Sequence, residues 1–206
     1  VDFDGFSNMP EFIAREFNVG GGSWEIVEVS GSGTGLRVLP NRRVEVWGDK
    51  SIYIPTLLQL VMQGRGAIPV VEIRESLAFS FRGFHLDVAR GGVARVDFIK
   101  KLLKWLYILK YNYFALYVED LFPWGRHPEI GARRGRYTDE EWREIVEYGE
   151  KLGIEVFPSL ELSGHMERIL VLDKYRHLAE WPVWPGMENI LGSGVLDLSN
   201  PEARRF

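Results

Sequence analysis

The 206-residue sequence contains no cysteine, no long apolar run and no large excess of charge of either sign. Without cysteine, disulfides, thiolate metal sites and a cysteine nucleophile are all excluded. No run of about 18 apolar residues is present, so no membrane span is expected. The net charge is −4 with both signs mixed along the chain. Because no basic stripe could follow a phosphate backbone, nucleic acid is not expected as a partner.

Hydrophobic residues make up 46% of the sequence and charged residues 26%, the profile of a globular protein. No signal peptide is visible in the sequence. A cytoplasmic location and secretion after signal removal are both compatible with the sequence. The compartment is therefore left open.

Residues 1–78 are predicted to form a small α+β domain in which helices pack on one antiparallel sheet. A short helix is expected from Met9 to Phe17, with Asn8 as its cap. The glycine-rich segment from Gly31 to Gly35 is expected to connect two strands as a hairpin. The other predicted elements are strands over 23–29, 36–39, 43–46 and 68–73 and a helix over 52–62.

From Phe81 onward, strand and helix patterns alternate, which predicts a parallel sheet with right-handed crossovers. Thr138 and Glu141 have the spacing of a capping box, and Gly153 is placed to end the helix that they begin. The expected strands are 84–88, 113–118 and 154–160. The predicted fold class is therefore α/β, with the small α+β domain followed over residues 79–206 by the first half of a (β/α)₈ TIM barrel. Because a closed barrel needs at least about 200 residues, the barrel is expected to be incomplete.

Polar side chains follow each predicted strand of this second part. Asp87 ends the first, Glu119 and Asp120 end the second, and Glu161 and His165 follow the third. Catalytic and binding residues of such barrels lie at these carboxyl ends. The carboxylates and the histidine listed here could orient protons or sugar hydroxyls. The alternative is that each carboxylate caps a helix or pairs with an arginine, which is the more frequent situation for any one of them.

Other residue groups give weaker signals. The histidines His127 and His177 lack the spacing of a metal pair, and no metal site is predicted. The segment Arg133–Arg136 is interpreted as a solvated loop rather than an anion site. Trp181 and Trp184 could stack on a sugar, but filling of a core is as good an explanation.

Five segments resemble glycoside hydrolase family 20, and they occur in that family's order. They are Pro55–Leu60, Phe81–Arg90, Leu116–Asp120, Glu161–His165 and Asp197–Pro201. The last four resemble the entry to the barrel, the ends of its second and third strands, and the lead-in to the helix before strand four. The resemblance identifies residues 50–206 as the N-terminal portion of a β-N-acetylhexosaminidase.

The resemblance implies an activity that needs no cofactor. Members of this family remove terminal N-acetylhexosamine from glycans, with retention, by letting the substrate's 2-acetamido oxygen attack the anomeric carbon. Arg82 is expected to bind hydroxyls of the terminal sugar. The other residues implied in substrate binding are Asp87, Trp124 and Glu161.

The same resemblance implies a supporting relay. Asp120 as the main member, with Glu119 and His165, would tune the acid that protonates the leaving oxygen. That acid belongs to an adjacent Asp-Glu pair after strand four, and no such pair follows Pro201. The chain is therefore expected to be inactive alone and to need the remainder of the barrel or a second chain. The strand end from Leu116 to Asp120 departs from the common family sequence, which leaves the choice between GlcNAc and GalNAc open.

Two other functions stay open from the residues alone. The first is another barrel glycosidase with a similar front domain, for example one that acts on uronic acids. The second is a non-catalytic module that binds carbohydrate or a protein partner. An adjacent Asp-Glu pair in the downstream sequence would support the hexosaminidase, and separated carboxylates would support the other glycosidase. A non-catalytic module would bind its ligand without hydrolysing it.

Overall fold

A computed structural model describes residues 1–190 and 192–206. Its helices are α1 (Glu11–Phe17), α2 (Lys50–Gly64), α3 (Val96–Ile108), α4 (Asp139–Lys151) and α5 (Glu167–Leu170). Its strands are β1 (Glu25–Glu28), β2 (Thr34–Leu39), β3 (Arg43–Trp47), β4 (Val71–Glu75), β5 (Gly83–Asp87), β6 (Tyr113–Tyr117) and β7 (Glu155–Ser159). The chain forms two compact units, the first from residues 1–83, 101–113 and 149–155, the second from 84–100, 114–148 and 156–206.

The first unit contains a mixed four-stranded sheet in the order β1-β3-β2-β4. Strand β2 is antiparallel to β3 and to β4, whereas β1 runs parallel to β3, with Ile26 opposite Val44. The prediction of an antiparallel sheet is therefore wrong for one strand pair, β1 with β3. The predicted hairpin between the first two strands is wrong as well, because β3 lies between them.

The glycine-rich segment has a packing role instead of a turn role. A Cβ atom on Gly31 or on Gly35 would lie only 2.6 or 2.5 Å from atoms of the Trp47 ring. Real Cβ atoms do not approach other atoms so closely, so side chains at these two positions would displace the ring. The glycines thus make room for Trp47, which is 6% exposed.

The two faces of this sheet differ in polarity because strand side chains alternate. Leu36, Val38, Val44 and Val46 are fully buried, and helix α2 packs on the strands that carry them. The opposite face carries charged side chains from neighbouring strands, Arg37, Glu45 and Glu72. One face therefore forms the core of the unit and the other meets solvent.

The first helix begins later than predicted. Pro10 precedes α1 and supplies no side-chain cap. Asn8 is not the cap, because its amide exchanges two hydrogen bonds with the backbone of Ile26, at 2.7 and 2.9 Å. Its side chain is therefore used to tie the segment before the helix to β1.

The second sheet has the order β5-β6-β7 and is parallel, as predicted. At the start of the strands, Asn112 N donates to Arg82 O and Glu155 N donates to Asn112 O. At their ends, Val88 N donates to Tyr117 O and Val118 N to Ser159 O. Because the first residues of neighbouring strands bond to each other, and so do the last residues, the three strands run in the same direction. Their carboxyl ends therefore meet at one edge of the sheet.

The signals predicted for α4 are confirmed in detail. Glu141 N donates to Thr138 Oγ1 at 3.1 Å, and Thr138 N donates to the Glu141 carboxylate at 3.0 Å. This is the reciprocal capping box, which satisfies two backbone donors at the helix start. Gly153, just after the helix, has a φ of 69°, the left-handed conformation that ends helices.

The loops beyond the strands of the second unit have their own apolar core. Its central members are Ile130, Met166, Leu170, Tyr175 and Leu196, each no more than 5% exposed. Segments far apart in sequence are thereby packed together next to the strand ends. In the part of the chain that the structure describes, no helix is long and apolar enough to cross a bilayer.

Candidate active site

A cleft of about 310 Å³ lies beyond the carboxyl ends of β5 and β6 in the second unit. We call it the strand-end cleft. The residues that line it are Arg90, Gly91, Glu119, Glu167, Arg168, Glu188 and Asn189. Five of these seven carry a charge, so the cleft is suited to a polar ligand with several hydroxyls.

Glu119 is a buried carboxylate of the cleft, with 7% of its surface exposed. It accepts a hydrogen bond from the Tyr117 hydroxyl at 2.9 Å and pairs with Arg90 at 3.3 Å and Arg168 at 3.7 Å. Its φ is 44°, a left-handed conformation that costs a residue with a side chain about 1 kcal/mol. Strained backbone of this kind is concentrated at functional sites.

Arg90 spans the ends of two strands. One guanidinium nitrogen donates to Asp87 Oδ2 at 2.6 Å, and the other donates to the Tyr117 hydroxyl at 3.2 Å. Asp87 also accepts from the backbone N–H groups of Ala89 and Arg90. The planar fork of the guanidinium is therefore oriented by fixed acceptors, with part of its surface exposed to the cleft.

Asp120 follows Glu119 in the chain, does not line the cleft and is 1% exposed. Arg134 Nη1 donates to Asp120 Oδ1 at 2.5 Å, while Arg134 Nη2 donates to Ala89 O at 2.6 Å. The interpretation of the Arg133–Arg136 segment as wholly solvated is wrong for Arg134. Its burial follows from the return of this loop to the strand ends, where Gly131 approaches the Asp120 carbonyl too closely for a side chain.

The far wall of the cleft is formed by α5 and the loop after residue 181. Arg168 Nη2 donates to Asn189 Oδ1 at 3.0 Å, so the guanidinium is held between that loop and Glu119. Glu167 is 4% exposed and accepts from Gly192 N at 2.7 Å. These contacts give the wall a defined position.

Burial and charge act in opposite directions on these carboxyl groups. Burial raises the pKa of Glu119, and the Tyr117 hydrogen bond and the charges of Arg90 and Arg168 oppose it. Burial likewise raises the pKa of Asp120 against the charges of Arg134 and Arg168. For Asp87, burial is outweighed by the hydrogen bonds from Arg90 and the backbone, which hold its pKa below the usual value.

Arg82 occupies a different place from the one expected of a sugar-binding residue. It directly precedes β5, whereas Asp87 is the last residue of that strand. Its guanidinium donates to the backbone carbonyls of Lys110 at 2.5 Å, Phe79 at 2.8 Å and Ser80 at 3.0 Å. These bonds belong to the first unit, and Arg82 does not line the strand-end cleft.

Trp124 and Glu161 do not line the cleft either. The Trp124 indole donates to Glu119 O at 3.3 Å and packs against the buried core around Ile130. Trp124 thus supports the segment that carries Glu119. Glu161 is half-buried, two residues beyond the end of β7, and its charge acts on Tyr117.

His165 has a φ of 53°, and its Nδ1 atom is buried. Within residues 1–190 and 192–206, this nitrogen has no hydrogen-bond partner. The acceptor bonds described for Asp120 go to Arg134 and not to His165. The predicted relay between Asp120 and His165 stays a prediction. In the same described ranges, no group of three or more His, Asp and Glu side chains could hold a metal ion.

Several residues of the site were given no role from the sequence, among them Tyr117, Arg90, Arg134 and Arg168. Arg90 stands in the quoted segment Phe81–Arg90, and its spacing of three from Asp87 was an available signal. Tyr117 could have been noticed because it stands two residues before Glu119. Nothing local marks Arg134 or Arg168, which reach the site through tertiary packing.

Comparison with known proteins extends this description. Residues 79–190, more than half of the chain, match the glycosyl hydrolase family 20 catalytic domain. The chain belongs to glycosyl hydrolase family 20. The match covers β5, β6 and β7 and all seven residues of the strand-end cleft.

Curated relatives have the corresponding names. The family 20 chain is 31% identical over 168 residues to a beta-hexosaminidase of Porphyromonas gingivalis, covering 74% of the chain and 20% of the relative. It is 29% identical to a beta-hexosaminidase of Vibrio furnissii, covering 61% and 24%. It is 27% identical to human hexosaminidase D, covering 53% and 22%. The chain thus spans about a quarter of the length of these relatives.

Solved structures show the same fold. A beta-N-acetylhexosaminidase from Bacteroides fragilis superposes with a TM-score of 0.74 over 100% of the chain and 49% of its own length, at 22% identity. The Streptomyces plicatus N-acetyl-beta-hexosaminidase superposes with a TM-score of 0.74 over 95% and 47%, at 19% identity. At these identities the likeness establishes a mixed α/β fold of the family 20 type.

Proposed function

We propose that this chain supplies part of the active site of a β-N-acetylhexosaminidase that removes terminal N-acetylhexosamine from glycans. The observation that supports this most strongly is the strand-end cleft, where a guanidinium and a buried carboxylate lie side by side at the carboxyl ends of parallel strands. Such a pair can donate to one sugar hydroxyl and accept from the next. The names of the relatives agree with this substrate class.

The proposed chemistry is retaining and substrate-assisted. The 2-acetamido oxygen of the substrate attacks the anomeric carbon, and the glycosidic bond breaks as the leaving oxygen receives a proton. No side chain of this chain has to act as nucleophile. None of β5, β6 and β7 is followed by an adjacent Asp-Glu pair, so the proton donor is proposed to come from outside these 206 residues.

The proposed residue roles follow the geometry. Arg90, which lines the cleft, is the better candidate than Arg82 for binding the hydroxyls of the terminal sugar. Asp87 orients Arg90, and Glu119 accepts from the sugar. Asp120 and, by family resemblance, His165 would tune the acid; Glu161 and Trp124 would act indirectly, through Tyr117 and Glu119.

The three parallel strands are proposed to be the first three of a (β/α)₈ barrel that begins at residue 79, with residues 1–78 as a non-catalytic domain. A barrel of three strands leaves both edge strands unpaired, which proteins avoid. The remaining strands would be supplied by further sequence or by a second chain. We therefore propose that the 206 residues alone do not hydrolyse substrate.

The proposal is tested with the 206-residue chain and with the longest protein that contains it. Hydrolysis of a chromogenic N-acetylglucosaminide is expected from the longer protein only, and GlcNAc is expected to shift NMR signals of cleft residues in both. Turnover by the short chain, free of other enzymes, would contradict the missing donor. Binding without turnover by the longer protein would favour a non-catalytic module.

Two matched arginine variants test the residue roles. Arg90→Gln is expected to weaken GlcNAc binding about tenfold, because a charged donor to the sugar is lost. Arg82→Gln removes three bonds to backbone carbonyls and is expected to lower stability without that loss of affinity. If Arg82→Gln weakens GlcNAc binding and Arg90→Gln does not, Arg82 is the sugar-binding arginine.

A further inference from the structure

Tyr117, the last residue of β6, contacts two of the charged groups of the cleft at once, Arg90 and Glu119. Its hydroxyl donates to Glu119 Oε1 at 2.9 Å and accepts from Arg90 Nη2 at 3.2 Å. The guanidinium carbon of Arg90 also lies 4.8 Å from the centre of the Tyr117 ring. Tyr117 itself is 7% exposed, whereas the Arg90 side chain is 38% exposed.

We propose that Tyr117 is a positioning residue, whose hydroxyl and ring hold Arg90 and Glu119 in one relative geometry for a bound sugar. The inference rests on the proposed function only for the identity of that sugar. Neither the donor bond to Glu119 nor the stacking on Arg90 requires a ligand. Both can therefore be tested in the free protein.

The geometry shows what the hydroxyl prevents. One nitrogen of Arg90 is held by Asp87 at 2.6 Å, and the second lies 3.3 Å from Glu119 and 3.2 Å from the Tyr117 oxygen. Without the hydroxyl, the contact of that second nitrogen with Glu119, just beyond the end of β6, remains. The two charges would then satisfy each other more closely, and fewer of their hydrogen-bonding sites would face the cleft.

Tyrosine is suited to this task because it stays neutral. Burial, together with the hydrogen bond to Glu119, raises the pKa of Tyr117 far above neutral pH. The hydroxyl therefore keeps its proton, and can act as a donor, at neutral pH. It can serve Glu119 as donor and Arg90 as acceptor at the same time.

Other charged groups surround this trio, and Tyr117→Phe leaves all of them in the sequence. Arg168 on α5 faces Glu119 at 3.7 Å, and Asp120 is the next residue along the chain. Glu161 acts on Tyr117 from the end of β7, and the His85 ring on β5 lies 5.9 Å from the Tyr117 ring. A change seen on removing one oxygen atom therefore reports on that oxygen.

The test is Tyr117→Phe in the 206-residue chain, with Tyr53→Phe as the matched control. Tyr53 also donates its hydroxyl to a glutamate, Glu28, at 3.3 Å, but in the first unit. In Tyr117→Phe the carboxyl carbon of Glu119, followed by ¹³C NMR, is expected to titrate about one pH unit higher, since one hydrogen bond to the charged form is lost. The Arg90 Nε signal is expected to shift as well, and neither change is expected in Tyr53→Phe.

Sugar binding gives an independent measurement. Tyr117→Phe is expected to weaken GlcNAc binding about fivefold to tenfold, with no change in Tyr53→Phe. If the Glu119 midpoint and the Arg90 signal stay as in the wild type, the positioning role is overturned, whether or not a sugar binds. If both move while the wild-type chain and the longer protein bind no GlcNAc, the positioning role stands and the proposed function fails.

If Tyr117→Phe does not fold, a second variant tests the same proposal. Glu119→Gln keeps the shape of the side chain and removes the charged acceptor. The Cζ signal of Tyr117 is then expected to move, because the hydroxyl donates to a weaker acceptor. An unchanged Cζ signal would overturn the proposal on its own.

Discussion

Each unit of the chain contains arginine–carboxylate pairs of similar length, yet their surroundings differ. In the first unit, Arg37 lies 2.7 Å from Glu72, and the two side chains are 44% and 36% exposed. In the second, Arg134 lies 2.5 Å from Asp120, and the side chains are 25% and 2% exposed. The distances are nearly the same, so burial is what distinguishes the pairs.

The difference has an energetic meaning. In an exposed pair, the attraction between the two charges is weakened by water and screened by salt. Such a pair therefore contributes little to the free energy of unfolding. A buried pair has lost its hydration, so removal of one partner leaves an uncompensated charge in the interior. Charged pairs on the outer face of the first sheet therefore tolerate change, whereas the buried pair of Arg134 and Asp120 does not.

Arg134→Ala should produce the largest effect and tests this contrast directly. It leaves Asp120 buried without its cation and also removes the bond to Ala89 O, so we expect a loss of about 3–5 kcal/mol in the free energy of unfolding. Urea denaturation followed by circular dichroism measures it. Arg37→Ala is the control, with a loss below about 1 kcal/mol expected, and equal losses in the two variants would refute the role given to burial.

A smaller loss of stability is expected from Gly35→Ala, which tests whether the close packing around Trp47 makes the first unit sensitive to substitution. The new Cβ atom would lie 2.5 Å from the Trp47 ring and from Ile73 O, so we expect a loss of about 1–3 kcal/mol. The control is Gly64→Ala at the end of α2, where a Cβ atom meets nothing within 4 Å. There the same substitution should be neutral or stabilising by less than about 1 kcal/mol. Equal effects on the urea midpoint would contradict the packing explanation.

The smallest effect is a difference in pH dependence. Because burial raises the pKa of Asp120, the native state binds its proton more firmly than the unfolded state does. The contribution of Asp120 to stability therefore falls as pH rises from about 4, the usual carboxyl pKa, through the higher native value. Asp120→Asn removes this term, so the stability of the variant relative to wild type should increase with pH over that range.

Glu72→Gln gives the opposite sign and serves as the comparison. Hydrogen bonds from Arg37 and Arg74 hold the pKa of Glu72 below its usual value. Its contribution is present above pH 4 and is lost as pH falls through the lower native value. Urea midpoints measured from pH 3 to 8 should therefore diverge in opposite directions for the two variants, and parallel curves would contradict the assigned shifts.

Local signals were sufficient for much of the fold. Thr138 and Glu141 contact each other within one helical turn, so their spacing predicted the start of α4. Gly153 likewise acts on its own backbone. The pairing of β1 with β3 could not be predicted in this way, because nothing in either segment indicates that β3 is inserted between β1 and β2.

The site was predictable to the level of its strand ends. Asp87, Glu119 and Asp120 stand where the patterns of β5 and β6 stop, and the structure brings them near one cleft. The segment from Phe81 to Arg90 contains two arginines, however, and the resemblance did not tell them apart. The direction of β5 separates them, since Arg82 precedes the strand and Arg90 follows it.

By itself, the sequence determined the order of helices and strands, the parallel sense of the second sheet and the family. All of these depend on neighbours in sequence or on motifs in a fixed order. Tertiary structure alone decided that Tyr117 joins Arg90 to Glu119, that Arg134 pairs with Asp120, and that Arg168 lines the cleft beside Glu119. These contacts join residues from different strands and loops, and it is their burial, a property of the folded chain, that gives the charges their effect.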